Sequence, residues 1–169
     1  MSNTISRRVF CRQMAAGAGA GAAAVALGPA YAAAAPFELR YILASCLYGR
    51  MPIEKILPEV KKTGATHIDI WPEHHANQRE QIEEMGHERF AELLDEHGVQ
   101  LGILTHYDLG PFKLQEEMRV AQKLGGTMLI CGGSGPKGLA GEELKKAVRA
   151  FVETMKPHLE VAEACGVTI

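Results

Sequence analysis

The chain is poor in cysteine, holds a single tryptophan, and carries neither a run of basic residues nor an apolar stretch of membrane-spanning length. Cysteine is the first absence to weigh. Three of the four, Cys46, Cys131 and Cys165, fall at irregular spacing with no C-x-x-C pair, and the fourth, Cys11, lies close to the N-terminus. That pattern gives neither a zinc site nor a disulfide framework. The lysine pairs Lys61-Lys62 and Lys145-Lys146 are flanked by carboxylates and read as solvated helix faces. Binding to nucleic acid needs clustered cations to neutralise phosphate, so that function class is disfavoured. The stretch from Met14 to Leu27 is built almost wholly of Ala and Gly, shorter and less hydrophobic than the roughly 20 apolar residues of a spanning helix. His-Glu-x-x-His does not occur, and the glycine-rich segment from Gly132 to Gly138 lacks the nucleotide-loop pattern G-x-x-x-x-G-K-[ST].

What is present begins with a leader. Ser6-Arg7-Arg8-Val9-Phe10-Cys11-Arg12 precedes the Ala/Gly stretch, and Ala30-Tyr31-Ala32 follows it as a small-x-small cleavage pattern. A basic segment, a modest apolar segment and an Ala-x-Ala site make a secretory signal. The paired arginines with Phe10 two residues beyond point to the twin-arginine route, hence to a periplasmic or extracellular protein. Residues 1–32 are therefore expected to be removed. The remaining 33–169, about 137 residues, form nominally one domain, and losing three arginines and no acid moves the net charge from −2 to −5. Twin-arginine substrates fold before export, which suits a protein without disulfides and permits cofactor loading in the cytoplasm.

From Phe37 onward two kinds of segment alternate. Strands are predicted at Glu38 to Cys46, His67 to Trp71, Val99 to Thr105 and Met128 to Cys131. Helices are predicted at Pro52 to Thr63, Glu88 to His97, Phe112 to Leu124 and Glu142 to Cys165, with a polar connection between Trp71 and Glu88. Pro58 and Pro157 are expected to distort their helices. The last helix presents Leu144, Val148, Phe151, Val152, Met155 and Leu159 as its apolar face. Gly166-Val167-Thr168-Ile169 looks like the opening of a fifth strand. Regular βα alternation argues for a parallel sheet, either doubly wound or a barrel. In His67-Ile68-Asp69-Ile70-Trp71 the isoleucines share one face and His67, Asp69 and Trp71 the other. A polar strand face suits a barrel lumen, with an edge strand of an open sheet as the alternative. The expected fold class is thus α/β, a partial (β/α)8 TIM barrel of about four βα units and the start of a fifth strand. A full barrel needs about 250 residues.

Sites of βα proteins lie at the C-terminal ends of the strands, and here those positions are rich in functional groups. Ser45 and Cys46 follow the first strand. Trp71, Glu73, His74 and His75 follow the second, His106, Tyr107 and Asp108 the third, and Cys131 with Gly132-Gly133-Ser134-Gly135 the fourth. The substrate-binding candidates are His106, Trp71, Glu73, His74, Asp69, Ser134 and Lys137. Adjacent histidines on extended chain point apart, so at most one of His74 and His75 is expected to face a site together with Glu73. Asp69 is either an acid in the lumen or a structural acceptor. The loop from Gly132 to Gly138 either presents backbone N–H groups and Lys137 to an anion or is a plain surface loop.

Gly64-Ala65-Thr66-His67-Ile68-Asp69-Ile70-Trp71 resembles the second strand of the sugar phosphate isomerase/epimerase family with the xylose-isomerase-like barrel. His97-Gly98-Val99-Gln100-Leu101-Gly102 and Ala121-Gln122-Lys123-Leu124-Gly125 are similar to its lead-ins to the third and fourth strands. Ala162-Glu163-Ala164-Cys165-Gly166-Val167-Thr168-Ile169 looks like its approach to the fifth. The resemblance runs from about Phe37 to Ile169. It implies a divalent metal, a small-molecule sugar or sugar phosphate, and isomerisation or epimerisation by proton abstraction beside a carbonyl. The family's metal ligands come from the fifth strand and beyond, so no ligand is assigned within this chain. The chain is expected to be the N-terminal half of such a protein, inactive by itself, with a homodimer as one way to cover its open faces. A non-catalytic carbohydrate-binding barrel is the second expectation, and an endonuclease-IV-like nuclease the third, against the charge of −5.

Overall fold

A computed structural model of the chain describes residues 39–169. The leader expected at 1–32 lies outside the described residues. Four strands, β1 (Ile42–Ala44), β2 (His67–Ile70), β3 (Gln100–Thr105) and β4 (Met128–Ile130), form one sheet in the order β1-β2-β3-β4. Every pairing is parallel. Strands laid down in sequence order with no reversal belong to a barrel wall, since a doubly wound sheet reverses direction at a switch point. The fold is α/β, a partial TIM barrel. Past β4, Thr168 bridges Met128 in parallel, its N–H donating to the Thr127 carbonyl and its own carbonyl accepting from Leu129. That is the opening of the fifth strand the sequence led one to expect.

Among the described residues five α-helices accompany the sheet: α1 (Ile53–Lys62), α2 (Gln78–Met85), α3 (His87–His97), α4 (Gln115–Lys123) and α5 (Gly141–Cys165). In α1, Ile53, Ile56, Leu57 and Val60 recur at helical spacing and are wholly buried. They meet Ile68 and Ile70 of β2, Phe90 and Leu94 of α3, and Met118 of α4 in one continuous core. Both helix-interior prolines stay within unbroken helices. Each sits on an exposed face, and so do Glu54 and Glu153 four residues earlier. The carbonyl that each proline leaves without an amide partner is therefore open to water, which is why the helix can continue.

Two features beyond the sequence reading matter. The connection after β2, read as polar loop, contains the helix α2. Its apolar content is too thin to show a periodicity, but Gln78 is fully buried there and donates to the carbonyls of Gly49 and Met51 at 2.8 and 2.9 Å. A buried polar side chain takes the place that an apolar residue would hold. The second is α5. Of its apolar face, Leu144, Val148, Phe151, Val152 and Leu159 stand half exposed, and its buried residues are His158 and Ala162. The Phe112 ring lies 5.5 Å from Phe151 on that face, and Leu159 lines a cleft with Val167 and Ile169.

Candidate functional site

The site forms where β2 and β3 end, and its first fixed point is Trp71. Three hydrogen bonds hold this residue. Its backbone N–H donates to the buried Ser45 hydroxyl at 3.0 Å, and its carbonyl accepts from the Arg79 N–H at 3.1 Å, the first turn of α2. Its indole N–H donates to Asp69 Oδ2 at 2.6 Å. The indole therefore cannot swing. It meets His75 and Tyr107 edge to face at 5.5 and 5.2 Å, a favoured aromatic geometry.

Around these rings lies a cavity of about 300 Å³ lined by Trp71, Pro72, Glu73, His74, His75, Tyr107 and Asp108. Glu73 accepts from Arg50, and its backbone N–H donates to Glu80 Oε1 at 3.1 Å. His74 Nε2 lies 3.3 Å from Asp108 Oδ2. The backbone at His74 has φ of 78°, the left-handed region that costs a residue with a Cβ and concentrates at functional sites. This turn corrects the expectation for the adjacent histidines. On extended chain only one would face the cavity; the left-handed turn brings both to its wall.

The strand end beneath is tightly built. Asp69 is buried, with Oδ1 accepting from the Thr105 hydroxyl at 2.9 Å and Oδ2 from Trp71. Burial pushes its carboxyl up to about 6, against the pull of those two hydrogen bonds. Burial, and then the Asp69 charge, raise the Cys46 thiol, and burial raises Cys131. Both stay protonated at neutral pH and are poor nucleophiles.

Of the sequence candidates, Trp71, Glu73 and His74 come together on one cavity wall, with Asp69 just behind the indole. His106 sits lower, at the end of β3. Its backbone N–H donates to the Ile130 carbonyl at 2.8 Å, and its Nδ1 is buried with no partner among the described residues. Ser134 lines a neighbouring cleft of about 410 Å³ that shares Tyr107 and Asp108 with the first. Lys137 is exposed and lines neither. Sequence reasoning passed over Arg50, which reaches Glu73 across 23 positions from a loop with no local signal. Tyr107 and Asp108 were visible as strand-end residues but had nothing to single them out. Among the described residues no three His, Cys, Asp or Glu side chains converge to hold a metal ion. Glu73 and Asp108 are instead engaged with Arg50 and His74, so this site does not fit the divalent metal that the resemblance implies.

Neither a protein-family model nor a curated protein sequence matches the chain. Solved structures do. A structure of IOLI protein with a bound zinc atom superposes with a TM-score of 0.55 at 16% identity, over 78% of this chain and 50% of that one. A xylose isomerase-like TIM barrel protein from Mycobacterium smegmatis, in complex with magnesium, gives 0.54 at 16% identity, over 76% and 53%. The probable 3-DHS dehydratase AsbF of Bacillus anthracis gives 0.54 at 14% identity, over 76% and 50%. The chain thus spans about half the length of the barrels it is similar to. At these identities the likeness shows the fold.

Proposed function

We propose that this chain belongs to an exported, xylose-isomerase-like barrel protein that binds a sugar or polyol ring in the Trp71 cavity, and that the whole protein isomerises or epimerises it. The observation that carries this reading is the make-up of the cavity. Aromatic walls from the hydrogen-bonded Trp71 and from His75 and Tyr107 stand beside Glu73, His74 and Asp108 at the sheet edge where βα proteins bind ligands. A sugar ring offers apolar C–H faces to such walls and hydroxyls to such polar groups. Glu73, His75 and the His74–Asp108 pair are the groups at the rim able to take up a proton. The lining residues carry no lysine or arginine, and Arg50 behind them is paired with Glu73. A phosphate would want such a cation, so the reading favours an uncharged ring over its phosphate ester.

A divalent metal enters this proposal for the whole protein alone. Zinc and magnesium appear with two of the solved barrels, and the residues described here supply no ligand set for one. His106, at the strand end, remains a candidate. Its replacement by Ala should keep the fold and lower activity of the whole protein tenfold or more. Export is inferred from Arg7 and Arg8. Changing both to Lys should leave precursor in the cytoplasm, and wild-type secretion of that variant would remove the assignment. No helix among the described residues is long and apolar enough to cross a membrane.

The deciding experiment uses the sole tryptophan of the chain, Trp71, as its own reporter. The full chain is titrated with neutral hexoses and polyols and with their phosphate esters. A saturable fluorescence change in the millimolar range for the neutral compounds is expected. Saturation by the phosphate esters alone would reverse the preference for an uncharged ring. A flat response to every compound would end the sugar reading.

A further inference from the structure

We propose that Asp69 is a positioning residue: its ionised carboxylate locks the Trp71 indole as the fixed wall of the cavity, and acidification releases the lock. The proposal rests on the reading of this cavity as the ligand site for its purpose, while the lock is readable with no ligand present.

The geometry leaves Asp69 little else to do. It is 6% exposed and is not among the residues that line the cavity, so it is poorly placed to meet a ligand. Both of its oxygens already accept, Oδ1 from Thr105 and Oδ2 from the indole. Its register partners on the flanking strands are Ala44 of β1 and Ile103 of β3, neither of which titrates. The titratable groups around it are few. Cys46 lies in the 3-10 turn after β1, His67 precedes it by two residues on β2, and His106 follows Thr105 on β3. Cys46 stays a neutral thiol, its titration pushed further up by burial and by Asp69 itself. On the far side of the indole stand His75 and Tyr107, with Glu73, His74 and Asp108 beyond them. No cation pairs with the carboxylate among its hydrogen-bonded partners, so its charge is held by two donated bonds alone.

A proton arriving from solvent has two places to go, and both cost the lock. On Oδ2 it sets an O–H against the indole N–H, two donors facing each other. On Oδ1 the Thr105 hydroxyl must turn from donor to acceptor, and the indole keeps a neutral acceptor in place of an ionised one. Bonds to an ionised acceptor are roughly twice as strong as neutral ones. Burial already lifts the Asp69 carboxyl to about 6, which puts the change within the range an exported protein meets.

The test is a pH titration of Trp71 fluorescence in the full chain between pH 4.5 and 8, with no ligand. A transition centred near pH 6 is expected, the emission moving to the red as the indole loosens. Imidazolium formation at His75 quenches an adjacent indole, so the titration is repeated in His75→Gln, where the transition should persist. Asp69→Asn offers the indole only a neutral acceptor and cannot ionise, so its emission should stay constant across the range, close to the acid limit of the wild type. Thr105→Val removes a bond that holds the carboxyl down and should move the midpoint upward, a reading available even where Asp69→Asn does not fold. A transition that survives in Asp69→Asn, vanishes in His75→Gln, or keeps its midpoint in Thr105→Val overturns the proposal. Where a neutral sugar binds, its affinity should fall severalfold below the transition. A transition with no sugar bound at any pH keeps the lock and removes the sugar reading instead.

Discussion

Arg79 and Glu117 form a two-pronged ion pair between α2 and α4, with Nε to Oε2 at 2.9 Å and the second nitrogen to Oε1 at 3.0 Å. Both side chains are close to fully buried, and Glu83 takes the remaining arm of the guanidinium at 2.8 Å. The Arg79 backbone N–H also holds the Trp71 carbonyl. The helix the sequence hid is thus the one that braces the site.

Removing one partner of this pair should be costly. Glu117→Leu leaves a buried guanidinium with one of its three acceptor oxygens, and losses of about 3–5 kcal/mol follow from stranding such a charge. Urea unfolding at neutral pH would measure it. The double variant Arg79→Met/Glu117→Leu should recover most of the loss, because an apolar pair of similar volume removes both charges. Equal losses in single and double variants would show that the pair does more than satisfy itself.

Asp69 carries a pH signature in stability. Its folded value of about 6 lies above the ordinary aspartate value of 3.8. The folded state therefore holds this proton more tightly than the unfolded chain does. Stability from this group is fully present below about pH 4 and is lost as pH rises through about 6. At roughly 1.4 kcal/mol per unit the loss at pH 7.5 amounts to at most about 3 kcal/mol. Asp69→Asn should flatten that decline between pH 4.5 and 7.5 in urea unfolding curves and be at least as stable as wild type at the upper end. A retained decline in the variant would assign it to another group.

Gly132 allows the loop after β4 to lie against the backbone of Tyr107. Its N–H donates to the Tyr107 carbonyl at 3.2 Å, and a Cβ built there would stand 2.7 Å from the same oxygen. Backbone cannot give way as a side-chain tip can. Gly132→Ala should cost about 1–3 kcal/mol, as overpacking does, and should shift Trp71 emission by displacing the Tyr107 ring. Wild-type thermal unfolding together with an unchanged spectrum would show the loop to be looser than its contacts indicate.

How much of this was legible follows from which signals are local. The apolar spacing of Ile53, Ile56, Leu57 and Val60 and the alternation in His67–Ile70 state their own faces, and both lie as read. Strand ends pointed to Trp71, Glu73 and His74 because chain order alone places them at one edge. The Arg50–Glu73 pair and the Asp69–Trp71–Thr105 chain are products of the fold, and no spacing announces them. The turn at His74 was unreadable for a plainer reason: nothing in an unaccompanied histidine signals positive φ. In α5 the pattern marked an apolar face and nothing more, since periodicity gives a face without giving its partner.

That unpartnered face leads to the last expectation, that residues 33–169 self-associate. Leu144, Val148, Phe151, Val152 and Leu159 along α5, with Ile42 and Met128 on the sheet, are each 41–52% exposed. A stable monomer seldom shows contiguous apolar surface beyond a few hundred Å². Among the described residues β1 is paired on one side only, to β2, so its other edge offers N–H and C=O groups beside the exposed Ile42. The core from Ile53 to Leu129 is well enough packed to keep the chain folded while these surfaces seek cover. Light scattering at tens of micromolar should therefore report a dimer or larger species with native secondary structure by circular dichroism. Two charges on the helix face, Val148→Asp with Phe151→Asp, should shift the distribution toward monomer while leaving the thermal transition in place, since neither side chain belongs to the buried core. A wild-type chain that runs as a monodisperse monomer would mean that these residues are covered within the chain itself, and the open face of α5 would have to be given up.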